Sequence, residues 1–143
     1  MTYTVEQQKA NRKKWCEALR SGDYKQGRKV LHNAEDDTYC CLGAAAHFLG
    51  VESEVCQIPH YGKCTTFGTA ATAERLCGPA ENGREYITAP QEVLDMVGLR
   101  TIEGHYTVNG DDGCLTGDND DGKTFEEIAN LIESEPEGLF VDA

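Results

Sequence analysis

Between residues 5 and 21, side chains suited to a packing face return every three or four positions: Val5, Gln8, Arg12, Trp15 and Leu19, with Ala18 beside them. That period belongs to an amphipathic helix, the cations being spread over its other faces. Ser21-Gly22-Asp23 ends it, Gly22 being suited to a left-handed cap. Residues 24–32 read as a loop running into a short extended piece, and Glu35-Asp36-Asp37 as a turn. Thr38 or Asp37 is then the cap of a second helix over 39–49, closed by Gly50. Cys40, Cys41, Leu42, Ala44, Ala45, Ala46, Phe48 and Leu49 surround that helix on nearly every side, the pattern of a buried helix.

The periodicity is lost over 51–89, where Gly, Thr, Ser and Ala with Pro59 and Pro79 predict loops, short strands and a small helix over 70–76. Order returns at Pro90, suited to the first helical position, with Val93, Leu94, Met96 and Val97 behind it and Gly98 as the stop. Residues 99–108 are read as extended up to a hairpin turn at Asn109-Gly110, with Cys114-Leu115 as the return strand. Thr124 and Glu127 form a capping box ahead of Phe125, Ile128, Ala129, Leu131 and Ile132, the stripe of a last helix that stops before Pro136. The architecture expected is α+β, a single domain over residues 1–143 with helices packed on a small antiparallel sheet.

Length and composition support one core: 143 residues, 39% of them hydrophobic. No apolar run approaches the roughly 20 residues of a membrane span, and the N-terminus lacks the pattern of a secretory signal. The expectation is a soluble, cytoplasmic protein that binds no membrane. Seven cysteines, an odd number, are expected as free buried thiols.

Charge changes this picture. Residues 1–30 hold eight of the thirteen Lys and Arg residues against three acids, while the remainder carries a balance of −17, for −12 overall. A chain so acidic is not built for duplex nucleic acid, whose affinity comes from neutralised phosphates. A small phosphorylated ligand on one local basic patch remains compatible with it. Trp15, Arg20, Tyr24, Lys25, Gln26 and Arg28 place cations, two rings and an amide within fourteen residues. Arg offers a planar fork to phosphate, Tyr and Trp can stack on a base, and Gln can read a base edge. The competing account makes Trp15 and Leu19 core and the cations of the first helix a solvated face, which leaves Lys25, Arg28 and Lys29 as the place for an anion.

Other motifs weigh less. Cys56, His60 and Cys64 are spaced by four, and Cys77 completes a set, but no C-x2-C pair accompanies them, so scattered thiols are preferred to zinc. Cys40 and Cys41 at a helix start, with His32 or His47 as base, match no catalytic signature. Asp118-Asn119-Asp120-Asp121-Gly122 resembles half a calcium loop but puts Gly117 and Ile128 where ligands belong, so it is read as a solvated turn. No catalytic residue, metal or cofactor is therefore assigned.

The pattern Trp15-x2-Ala18-Leu19-x-Ser21-Gly22-x-Tyr24-x-Gln26-Gly27, then Leu31 and Tyr39-Cys40-Cys41-Leu42-Gly43, resembles a family of small uncharacterised proteins encoded by bacteriophages and prophages. The run from Asn119 to Ala129 resembles the ending common in that family. The resemblance implies an accessory protein acting against host defences, and unrelated accessory proteins do so by sequestering cyclic nucleotide or cyclic ADP-ribose signals. It also implies a homo-oligomer with pockets at subunit interfaces. The function expected is sequestration of a small nucleotide-derived molecule, with Arg28, Lys25 and Arg20 on phosphates, Tyr24, Trp15 or Tyr39 against a base, and Gln26 and His47 completing the ligand set. The rival expectations are a protein-interaction module that blocks a host protein through the cationic first helix, and a histidine-dependent enzyme that cleaves a nucleotide signal using His32 and His47.

Overall fold

A capping box starts the first helix, α1 (Val5–Arg20): the Thr4 hydroxyl accepts from the Gln7 amide, and the Gln7 side chain accepts from the Thr4 amide. A computed structural model describes residues 3–58, 62–67 and 89–142. The buried face of α1 is Arg12, Trp15, Cys16, Ala18 and Leu19, as the spacing predicts for Trp15 and Leu19. Val5 stays exposed, and half-buried Gln8 donates to Asp95 O instead of packing as an apolar residue would.

Arg12 corrects the expectation of a solvated cation. Its side chain is buried, with Nε donating to Val97 O at 2.5 Å, Nη1 to Glu135 at 2.9 Å and Nη2 to Asp142, while the guanidinium lies 3.8 Å from the Phe140 ring centre. A buried cation is tolerated because anions and a carbonyl take its hydrogens. Lys13 and Lys14 remain exposed.

Beyond α1, five short strands form one sheet: β1 (Lys25–Gln26), β2 (His32–Asn33), β3 (Thr38–Tyr39), β4 (Ser53–Ile58) and β5 (Gly62–Phe67), in the order β1-β3-β2-β5-β4. The β1–β3 pair is parallel and the others antiparallel, so the sheet is mixed rather than wholly antiparallel. The turn at Glu35-Asp36-Asp37 links β2 to β3, as expected. The small helix anticipated over 70–76 lies outside the described residues.

The second helix, α2 (Cys41–Phe48), begins later than its sequence implies because two ladders claim Tyr39, which is in register with His32 and with Gln26. Cys40 is therefore the cap: its sulfur accepts from Gly43 N at 3.4 Å, and its own amide donates to Leu31 O at 3.1 Å. Gly43 lets α2 lie directly on the chain at Leu31, since a Cβ there would fall 1.7 Å from Leu31 O. That approach puts α2 in the interior, as its all-round apolar pattern requires.

The helix after Pro90, α3 (Gln91–Val97), starts one residue later than read, with Pro90 as its cap residue, and ends on left-handed Gly98 at φ 76°. Strands β6 (His105–Val108) and β7 (Asp111–Cys114) join through Asn109-Gly110, both at positive φ. The turn is where expected, and the return strand starts directly behind it rather than at Cys114. Helix α4 (Leu115–Asp120) takes up the first three residues of the solvated turn expected at 118–122, because Asn119 is fully buried and bonded on both ends of its amide, while Asp121 and Gly122 remain a turn. Helix α5 (Phe125–Glu133) carries the predicted Thr124–Glu127 box and buries Phe125, Ile128, Ala129 and Ile132. Trp15, Leu31, Leu42, Leu115, Ile128, Ile132 and Phe140 form the centre of one core, and the whole is α+β. Among the described residues no helix is long and apolar enough to cross a membrane.

Candidate functional site

Where α1 ends, the chain turns through Ser21-Gly22-Asp23 into β1, bringing Tyr24 beside Tyr39 at the end of β3 and His47 in the last turn of α2. The three rings meet. Tyr24 and Tyr39 are edge to face with centroids 4.9 Å apart, and Tyr39 and His47 are 5.4 Å apart. The Tyr24 hydroxyl and His47 Nδ1 share a hydrogen bond of 2.8 Å. On its other side Tyr39 stacks on His32 at 4.1 Å and 20°. Tyr24, Tyr39 and His47 open onto a cleft of about 750 Å³ lined also by Glu17, Ala18, Ser21, Asp23, Asp37 and Phe48. Phe48 is 46% exposed at this cleft.

The electrostatics follow from these neighbours. Burial, and then the charge of Asp23, raises the pKa of Tyr24, and burial with the charges of Asp37 and Tyr24 does the same for Tyr39. Both phenols thus stay neutral at physiological pH and keep a proton to donate. His32 is held at both ring nitrogens. Its Nε2 donates to Asp37 at 2.9 Å, because a carboxylate can only accept, and Nδ1 pairs with the Thr65 hydroxyl at 2.6 Å.

Tyr39 has no equivalent satisfaction. The residue is only 8% exposed, and among the described residues its hydroxyl has no hydrogen-bond partner. The arrangement offers rings for stacking, a hydroxyl for one directed hydrogen bond, and carboxylates at the rim.

Three ligand residues expected from sequence thus converge: Tyr24, Tyr39 and His47. Three others are committed elsewhere. Trp15 is fully buried and its indole donates to Cys41 O at 3.0 Å, so its ring belongs to the core. Arg20 bridges α1 to α5 through Glu126 at 2.5 Å, Glu133 at 2.7 Å and Asn130 at 2.5 Å, which takes its fork from phosphate. Gln26 donates to Asn119 Oδ1 and Lys123 O and accepts from Phe125 N, so its amide reads the protein's own interior. Lys25 and Arg28 are exposed, and neither lines the cleft.

Phe48, Glu17 and Asp23 escaped sequence reasoning because each looks like routine helix or turn surface. The one available signal was position, since Asp23 precedes Tyr24 and Asp37 lies two residues before Tyr39. Catalysis by Cys40 or Cys41 finds no support in the geometry. Cys40 and Cys41 are buried, and burial outweighs the helix terminus, pushing the Cys40 thiol up to about 11 and the Cys41 thiol well above its ordinary value. In register Cys56 stands opposite Cys64, His60 and Cys77 lie outside the described residues, and no metal-sized group of three acids, His or Cys occurs among those described.

Residues 7–136 match the family described as a domain of unknown function, DUF8296. No curated protein and no solved structure matches the chain.

Proposed function

For a chain that belongs to the DUF8296 family, whose description names no activity, we propose that the Tyr24–Tyr39–His47 cleft binds and sequesters a small nucleotide-derived molecule. The observation that carries this reading is the convergence of the Tyr24, Tyr39 and His47 rings on a cleft large enough for one base and its sugar. Rings set at an angle to one another give a flat ligand a face and an edge to pack on. Exposed Phe48 adds a further face. Lys25 and Arg28, on the chain just after Tyr24, are the remaining candidates for phosphate contacts.

The resemblance to phage-encoded proteins gives this binding a biological reading. Removing a nucleotide alarm signal from an infected cell needs tight binding and no chemistry. Calorimetric titration against cyclic mononucleotides, cyclic dinucleotides and cyclic ADP-ribose isomers tests the proposal. One of them should bind at roughly micromolar affinity or tighter, and should be recovered chemically intact after the protein is denatured. Absence of binding by all of them at tens of micromolar overturns the proposal, and recovery of a cleaved product replaces it with the histidine-dependent enzyme.

A further inference from the structure

Two cysteines stand opposite one another across the β4–β5 ladder, and neither lines the cleft. In the antiparallel register Cys56 is directly paired with Cys64. Residues so paired share one face of a sheet, with Cβ atoms about 4.5–5.5 Å apart. The kind of pair follows from the next strand along. Asn33 is in register with Cys64, and Ala34 N donates to Lys63 O at 2.8 Å, so Lys63 turns its backbone groups toward β2. Successive residues turn theirs to opposite sides, so Cys64 turns its own toward β4. Cys56 and Cys64 are thus a hydrogen-bonded pair, for which the Cα separation is about 5.5 Å. A disulfide spans roughly 4.4–6.8 Å between Cα atoms and needs Cβ atoms about 3.8 Å apart. The backbone span therefore fits such a bond, while the Cβ positions must close up to make it. Strain of that kind makes a disulfide easier to reduce.

The two positions differ in a way that orders the chemistry. Cys64 is fully buried, and burial, followed by the charge of Glu35, raises its pKa, so it is a poor first attacking group. Cys56 lies on β4, the last strand in the sheet order, where Ser53, Glu54, Val55 and Gln57 are all exposed. The other described thiols lack such a pairing. Burial pushes Cys16 up to about 12 and Cys40 up to about 11, and Cys41 well above its ordinary value. Cys114 is in register with His105, and no other two cysteines are paired among the described strands.

From this register we propose that Cys56 and Cys64 form a reversible thiol–disulfide site, closed by exchange with a small disulfide of the glutathione type. The Cys56 thiolate attacks one sulfur of that disulfide, a mixed disulfide forms, and one glutathione leaves as a thiolate that takes up the proton Cys56 gave up. Cys64 then loses its proton, attacks the Cys56 sulfur and expels the second glutathione, which is protonated in turn. Two protein thiols are oxidised by two electrons in all, and the small disulfide is reduced to two thiols. The site is independent of the nucleotide reading. It lies next to Thr65, whose hydroxyl pairs with the His32 ring that stacks on Tyr39, so the bond would fix the strand that supports the cleft from behind.

The test equilibrates the full chain, first reduced, in glutathione buffers of stepped oxidised-to-reduced ratio, blocks the remaining thiols and maps the peptides by mass spectrometry. Cleavage after Lys63 separates Cys56 from Cys64, and cleavage after Glu54 separates Cys56 from Cys40 and Cys41. As the ratio rises, one species lighter by two hydrogens should appear, joining the Cys56 peptide to the Cys64 peptide, and a large excess of reduced glutathione should reopen it. Cys64→Ser should instead hold one glutathione on Cys56, whereas Cys56→Ser should gain none at Cys64. The mapping of the native chain stands whether or not these variants fold. Blocking of all seven thiols at every ratio, a bond that uses Cys40 or Cys41 in place of Cys56, or a Cys56–Cys64 bond that reduced glutathione cannot open overturns the proposal.

Discussion

Two polar clusters are built from β1, β3 and the segments around them, and they are finished differently. Around Asn119 every group is used: its carbonyl accepts from Cys41 N and Gln26 Nε2, its amide donates to Gly27 O, and Gln26 passes the network on to Phe125 N. Around Tyr39 the rings pack closely, yet among the described residues the hydroxyl has no hydrogen-bond partner, and His47 stands exposed. A closed network ties three elements together and has nothing left for a ligand. An open one leaves a hydroxyl for water or a ligand to meet. The sequence-stretch that looks most like a binding motif, from Trp15 to Arg28, contributes to both clusters. Satisfaction of the hydrogen bonds, rather than residue type, separates its structural members from its functional candidates.

Breaking the closed cluster should have the largest effect. Asn119→Ala strands Cys41 N and Gly27 O in the interior and should cost about 3 kcal/mol or more in urea unfolding. A loss below roughly 1 kcal/mol would show that water satisfies those groups and that the cluster is not closed.

A second satisfied site, Arg12 with Asp142, ties α1 to the C-terminal segment. Hydrogen bonding to Arg12 lowers the pKa of Asp142 from its ordinary 3.8. A lowered folded value means that the contribution is present above the unfolded pKa and is lost as pH falls through the folded one. Melting temperature should therefore drop more steeply in the native chain than in Asp142→Asn as pH is taken below 3.8. Parallel curves would contradict the assignment. The smaller effect belongs to Arg20→Ala, which removes solvent-exposed contacts to Glu126, Glu133 and Asn130. Its change in melting temperature should be slight and should fade with added salt.

Much of the scaffold is legible in the residues. Trp15, Leu19 and the Thr124–Glu127 box mark α1 and α5 because local periodicity and caps act within one turn. Asn109-Gly110 and Gly98 mark a turn and a stop for the same local reason. What local rules miss is decided by distant partners. Tyr39 leaves the helix its apolar run predicts because His32 and Gln26 claim it for the sheet. The acidic run is helical over 118–120 because Asn119 is needed by Gly27 and Cys41. Arg12 is buried because Glu135 and Asp142 return to it from the far end of the chain. The cleft was half legible: Tyr24, Tyr39 and His47 stand out as ring residues, whereas Phe48 and the carboxylates gain meaning only where three elements converge.

The most direct test of the open cluster is Tyr39→Phe, which removes one oxygen and leaves the ring packing in place. Thermal unfolding and titration with the tightest-binding cyclic nucleotide should be measured on the same preparation. An unpaired hydroxyl predicts a melting temperature within about 2 °C of the native chain or above it, together with an affinity about tenfold weaker. A melting temperature lower by several degrees with affinity unchanged would place the hydroxyl in the scaffold and contradict the account.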